Sequence, residues 1–183
     1  MLQTIDACLQ SSGGVDVDAL RHALMAAFAE YGRPAIETVV AAENLARYCR
    51  IPLSISPDRD YSALVIAWPP GYATDIHDHS GLWGMLMVLD GKIGVENYSF
   101  PADQPESIKQ TGEAVLDVGA SAGFSIENYA HRCRNTSTTE HALSLHVYGG
   151  DLKSYRAFIR DEKDAWRVEP RRGVLNEWDV FGE

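Results

Sequence analysis

Apolar residues recur at helical spacing through residues 15–31, where Leu20, Leu24, Ala27, Phe28 and Tyr31 share one face. Gly32 followed by Arg33-Pro34 supplies a stop and a restart. From Pro34, a first-turn residue, Ile36, Val39, Val40 and Leu45 carry a second apolar face towards Tyr48. The pattern predicts two amphipathic helices. From Ile51 the chain breaks into short β-rich runs, at 62–68, 84–89, 93–98, 114–118, 123–127 and 142–148, separated by turn signals such as Pro69-Pro70-Gly71 and Asp90-Gly91. That rhythm predicts an all-β barrel or sandwich. The clearest predicted hairpin joins 84–89 to 93–98 through Asp90-Gly91, because a primed turn needs positive φ and glycine adopts it without a Cβ clash. Residues 102–111 are polar and read as an exposed loop. In the tail, Tyr155, Phe158 and Ile159 suggest a helix, followed by an end whose Trp166 and Trp178 cap the barrel. No repeat or long linker divides the chain. One domain over 1–183 is expected, with a helical part at 1–48, the barrel at 49–150 and a C-terminal extension at 151–183 packing on it.

With 183 residues and 45% hydrophobic content the chain has material for a sizeable core. Lys and Arg total 16 against 26 Asp and Glu, a net charge of -10, so neither nucleic acid nor an anionic membrane is an expected partner. The start MLQTIDACLQ lacks the basic and apolar regions of a signal peptide, and no apolar run of about 18 residues occurs. A cytoplasmic protein is expected. Cys8, Cys49 and Cys133 are irregularly spaced and read as small buried thiols rather than a disulfide framework or a cysteine zinc site. The sequons at Asn97 and Asn135 matter only in a secreted chain.

Four of the six histidines, His77, His79, His131 and His146, fall in the β-rich half; His22 and His141 look unremarkable. His77 and His79 are two apart, so on a strand both imidazoles point to one face and can share an ion inside a barrel. A bare His-x-His is weak by itself. Its surroundings strengthen it: Gly71 lies six residues before His77, and Gly84 and Gly91 follow at intervals that resemble the first motif of the cupin superfamily. Gly84 stands where a cupin often carries its acidic ligand. His131-Arg132-Cys133-Arg134-Asn135 resembles the end of the second cupin motif, although Ile126 and Asn128 replace its usual Pro and Gly. Three histidines without a carboxylate suit a borderline ion with open positions, and Fe(II), Zn, Cu and Ni all fit such a ligand set.

The three-His pattern and two further segments resemble the cysteine dioxygenase type I family of thiol dioxygenases, bacterial type. Ser144-Leu145-His146-Val147-Tyr148 matches the family's Ser-x-His-x-Tyr strand, and Tyr48-Cys49-Arg50 its Tyr-x-Arg segment. Together these span about 46–150. The resemblance implies a mainly β cupin barrel (double-stranded β-helix or jelly roll) with N-terminal helices. It also implies Fe(II) on His77, His79 and His131, and Arg50 gripping a substrate carboxylate, a task suited to a guanidinium fork that stays charged when desolvated. Tyr48 and Trp83 are expected to line the pocket. Tyr148 is expected to present its hydroxyl at the end of a relay through His146 and Ser144, which alternate onto one strand face. Arg59 and Arg156 are weaker carboxylate candidates, and Trp68 is expected in the barrel wall or at its mouth. Animal members carry a cysteine that cross-links to the site tyrosine; the matching position here is Gly84, so no cross-link at Tyr148 is expected.

The implied reaction adds O2 to the sulfur of a small carboxylate-bearing thiol to give a sulfinate, with cysteine to cysteine sulfinate favoured. 3-Mercaptopropionate and mercaptosuccinate remain alternative substrates. Two other classes stay open: a noncatalytic cupin binding a metal or small acid, and a metal-dependent isomerase or diketone oxygenase, which leaves Arg50 unexplained. Neither a phosphate-cradling loop nor a dinucleotide fingerprint is present. Oligomeric state is left open by the sequence.

Overall fold

A computed structural model describes residues 2–10, 16–42, 46–55, 60–124 and 127–172. Helix α1 (Leu2–Gln10) precedes helix α2 (Val17–Ala42). Asp16 caps α2, its Oδ1 accepting a hydrogen bond from the Ala19 amide at 2.9 Å. The predicted break at Gly32-Pro34 is absent, and α2 runs through it as one 26-residue helix. Helix propensity is a weak prior that tertiary context overrides, and α2 lies packed along the sheet below it.

Eleven strands follow among the described residues: β1 (Cys49–Ile55), β2 (Ser62–Trp68), β3 (Ile76–His77), β4 (Gly84–Asp90), β5 (Ile93–Ser99) and β6 (Lys109–Leu116). The remainder are β7 (Ser121–Phe124), β8 (Tyr129–Asn135), β9 (Ala142–Tyr148), β10 (Ser154–Arg160) and β11 (Trp166–Arg172). They form two antiparallel sheets, one ordered β1-β2-β9-β4-β7 and the other β11-β10-β3-β8-β5-β6. The expected mainly β class with N-terminal helices is therefore the observed one, as two antiparallel sheets.

In the five-stranded sheet side-chain alternation divides two buried faces. Ala63, Val65, Met85, Met87, Leu143, Leu145 and Val147 pack with Ile5, Leu20 and Leu24 of the helices. Leu64, Ile66, Trp68, Leu86, Val88 and Tyr148 face the interior between the sheets, joined there by Ile93, Val95 and Cys133. A third cluster, Ile76, Tyr98, Phe100, Ala130 and Phe158, covers the six-stranded sheet and takes in Trp166 at its edge.

Three expectations change. Asp90-Gly91 is no hairpin: β4 pairs with β7 and β9, whereas β5 pairs with β6 and β8. Gly91 does adopt positive φ, 71°, yet the turn passes the chain from one sheet to the other. Its local geometry fixes a reversal, while burial on both sides of β4 fixes the partners. The predicted helix around Tyr155 is strand β10, paired with β3 and β11, so the tail completes a sheet rather than merely covering it. Within 102–111, a 3-10 turn occupies Pro105–Ser107 and β6 begins at Lys109. Trp178 lies outside the described residues.

Candidate metal centre and adjoining cavity

The two-residue strand β3 is held from both sides, His77 lying opposite His131 of β8 and opposite Ala157 of β10. This register collects His77, His79 and His131, all buried, with one ligand nitrogen from each within 4.8 Å of the others. Asp78, between the two β3-side histidines, faces away and locks the segment. Its Oδ1 accepts from the Arg156 amide at 2.7 Å and its Oδ2 from Arg156 Nε at 2.6 Å. Arg156, so anchored, lines a small pocket beside His79 and Phe124 and not the cavity described below.

Hydrogen bonds set which nitrogen each ring offers. His77 Nδ1–H donates to the Asp75 carbonyl at 2.9 Å, leaving the Nε2 lone pair free. Tyr129 donates its hydroxyl proton to Asn97 Oδ1 at 2.6 Å, so its oxygen accepts from His131 Nδ1–H at 3.4 Å, again freeing Nε2. Both nitrogens of His79 are buried with no hydrogen-bond partner among the described residues. An orphaned imidazole beside two rings of fixed tautomer fits a metal ligand set, because an ion supplies the missing partner. Desolvation lowers His77 to about pKa 4 and holds His79 and His131 well below the ordinary histidine value. All three are therefore neutral at pH 7, the form that binds metal.

His79 stacks with Phe124 at 4.2 Å and with Tyr148 at 5.4 Å between ring centroids. A Cβ on Gly84 would fall 2.5 Å from Phe124 Cζ and 2.9 Å from Tyr148 Cδ1. The bare glycine thus lets both rings close on His79.

Across the interior, β9 presents the predicted relay. Trp68 Nε1–H donates to Ser144 Oγ at 2.8 Å, Ser144 Oγ meets His146 Nε2 at 2.8 Å, and His146 Nδ1 meets Tyr148 Oη at 3.0 Å. Indole is a donor only and occupies one of the two lone pairs of Ser144 Oγ, so the direction of the chain rests on where the serine proton goes. Ser144 is fully buried and its hydroxyl proton has one described acceptor, His146 Nε2. The imidazole proton then sits on Nδ1 and points to Tyr148, whose own O–H is free to donate onward. Burial lowers His146 to about pKa 3 and raises Tyr148, so both stay neutral.

Beside the histidines opens a cavity of about 400 Å³ whose lining includes Tyr48, Arg50, Tyr72, Asp75, His77 and Tyr155. Tyr48 stacks on Tyr72 with centroids 4.4 Å apart and meets Trp68 edge-on at 5.3 Å. Arg50 Nε donates to Tyr48 Oη at 3.3 Å. The charge interaction with Tyr48 raises the Arg50 pKa against the opposing effect of burial, so the cavity keeps a permanent cation next to the ligand cluster.

Of the residues singled out from sequence, Tyr48, Arg50, His77, His79, His131, Ser144, His146 and Tyr148 come together. Trp83 does not: its indole lies against Gly149, on the helix-facing side of the sheet. Arg59 lies outside the described residues. Cys133 is buried in the interior core with its thiol pushed up to about 12 by burial, an inert packing residue. Asn135, the last residue of the second motif, ties strand ends together by donating to the Trp68, Pro69 and Glu140 carbonyls. Sequence reasoning missed Asp75, Asn97, Tyr129 and the Trp68 anchor. Trp68 alone left a signal, standing on the same face of β2 as the relay stands on β9.

Comparison with known proteins gives a family for the chain. Residues 5–161 match the family described as cysteine dioxygenase type I. Cysteine dioxygenase type 1 of Danio rerio is 30% identical over 124 residues, covering 67% of this chain and 59% of that protein. The Homo sapiens protein of the same name is 28% identical over 98 residues, 54% of this chain and 49% of its own length. The chain thus spans less than two thirds of the relatives it matches. Among solved structures it is similar to the Schizosaccharomyces pombe Cnp3 cupin domain, with 14% identity, TM-score 0.47, and coverage of 61% of this chain and 66% of that one. Matched over most of its length, this chain belongs to the cysteine dioxygenase type I family.

Proposed function

We propose that the protein is a non-haem Fe(II) thiol dioxygenase, adding both atoms of O2 to the sulfur of a small carboxylate-bearing thiol to give a sulfinate. Cysteine, for which the family is named, is the first substrate to consider. The observation that carries this reading is a neutral three-His cluster, its His79 without a hydrogen-bond partner among the described residues, beside a cavity that His77 shares with Arg50. His77, His79 and His131 would hold the ion, which when bound supplies the positive charge that favours a thiolate over a thiol and the redox capacity for oxygen chemistry.

The chain's own residues do the rest. Arg50 pairs with the substrate carboxylate through its guanidinium, fixing how far the sulfur reaches into the site. Tyr48 holds that guanidinium in place. Tyr148 donates its O–H towards the reacting atoms, and the Trp68–Ser144–His146 chain keeps that proton pointed there. Phe124, stacked on His79, and the Tyr48–Tyr72 pair give the site aromatic walls. A completed relay supports catalysis over a noncatalytic metal-binding cupin, which has no use for an oriented tyrosine hydroxyl. No described helix is long and apolar enough to cross a membrane, and a cytoplasmic location suits a reaction on small soluble thiols.

The test is anaerobic loading with Fe(II), then oxygen uptake with cysteine, 3-mercaptopropionate and mercaptosuccinate in parallel, with mass spectrometry of the product. Uptake matched by a gain of two oxygens on one thiol is the expected result. Tight iron binding with no turnover of any thiol would overturn the reading in favour of a binding cupin or another oxygenase substrate.

A further inference from the structure

We propose that Arg171 forms a second anion subsite in the same cavity, so that the preferred substrate is a thiol carrying two carboxylates rather than one. The inference rests on the thiol dioxygenase reading and refines its substrate class. Three observations carry it.

The first is convergence of charge. The cavity that holds His77 and Arg50 is lined also by Arg171 and Arg172, three guanidinia against the carboxylate of Asp75 and that of Glu169, which pairs with Arg171, in a protein of net charge -10. Clustered cations in a cavity with low-dielectric walls raise the local concentration of anions even when the protein as a whole repels them.

The second is placement. The β10–β11 register sets Arg171 directly opposite Tyr155, and the Tyr155 ring meets His77 edge-on at 5.6 Å. Cross-strand partners share a sheet face, so Arg171 stands on the cavity side beside Tyr155, with Glu169 next along the same face. Arg50 approaches the same space from β1 in the other sheet. A substrate between them is held at two ends.

The third is spare donor capacity. Arg171 Nη2 pairs with Glu169 Oε2 at 2.7 Å, while the other oxygen of Glu169 is taken by Arg167. One carboxylate thus steadies two guanidinia, and most of the five N–H donors of Arg171 remain for a ligand. The cavity volume of about 400 Å³ lies in the range of small-molecule sites and exceeds what cysteine fills.

Two measurements test this, the first without metal or turnover. Calorimetry on the metal-free protein compares succinate with propionate. Succinate should bind about tenfold more tightly, the worth of one charge-assisted hydrogen bond. Arg171→Gln should erase that preference, Arg171→Lys should restore part of it, and Arg50→Gln should weaken both ligands. Equal binding of the two acids by the wild-type protein, or a preference that survives Arg171→Gln, would overturn the subsite. The second measurement loads Fe(II) and takes the ratio of kcat/KM for mercaptosuccinate to that for cysteine. Arg171→Gln should lower the ratio about tenfold, through KM. An unchanged ratio with active enzyme rejects the subsite and leaves the dioxygenase reading standing. Succinate preference without turnover of any thiol rejects the dioxygenase reading and leaves the subsite standing.

Discussion

The molecule contains two groups of buried histidine that face each other across the barrel and are built in opposite ways. On the six-stranded sheet and the loop after β3, the rings of His77, His79 and His131 leave nitrogens without protein partners. On the five-stranded sheet, His146 has both nitrogens engaged, one by Ser144 and one by Tyr148. Burial makes all four neutral, so pKa does not separate them. Hydrogen-bond satisfaction does. A buried imidazole with an unused lone pair is a ligand in waiting, whereas one with both nitrogens used transmits orientation.

The widest difference between the two groups should appear on deleting one ring from each. His131→Ala should abolish stoichiometric iron binding, measured by metal analysis after anaerobic loading, while His146→Gln should retain the iron and lose rate. Full iron in His131→Ala would remove that residue from the ligand set. Arg50→Ala comes next: kcat/KM for cysteine should fall by on the order of a hundredfold, as for a lost charged bidentate contact, with far less effect on cysteamine, which has no carboxylate. Equal losses on both thiols would reject the carboxylate role.

A smaller effect tests the relay's anchor. Trp68→Phe removes the hydrogen bond that holds Ser144 Oγ beside His146, and kcat should fall about tenfold with metal content intact. An unchanged kcat would show that Ser144 is positioned without the indole. The smallest effect concerns acid. Each of the four rings has a folded pKa below its unfolded value near 6.5, so the unfolded chain gains protons first and stability falls as pH drops through 6.5. Between pH 7.5 and 6.5 each should contribute about 0.4 kcal/mol, lowering the Tm of the metal-free protein by several degrees in all. Replacing His146 should flatten that slope as much as replacing one ligand; a slope untouched by either change would show that these rings are solvated.

Both histidine groups were legible in the sequence because each contains an i, i+2 pattern over a few residues. Ser144, His146 and Tyr148 alternate along strand β9, whereas β3 ends at His77 and His79 follows it in a loop that Asp78 anchors to Arg156. Trp83 shows where that rule stops. It precedes Gly84 by one residue, and that parity places it with Met85 and Met87 against the helices. Both faces of the sheet are buried, so hydrophobicity could not say which one held the site. The partners Asn97 and Tyr129 arrive from neighbouring strands, and the Asp75 contribution is a backbone carbonyl that any residue supplies. Tyr155, Phe158 and Ile159 fit a helical face as well as a strand, and sheet pairing with β3 decided between them. Asp90-Gly91 encodes a reversal but not the partner across it.

The shortness of β3 has a consequence for biosynthesis. A strand of two residues cannot persist by itself, and here it is clamped by β8 from one side and by β10 from the other, with Asp78 anchored on Arg156. During synthesis His77 and His79 leave the ribosome early, yet they lack their flanking strands until the chain has been made through Arg160. Such long-range closure is slow and comes late. The three imidazoles therefore come together only when the barrel closes, and the ligand cluster is a product of folding rather than its template.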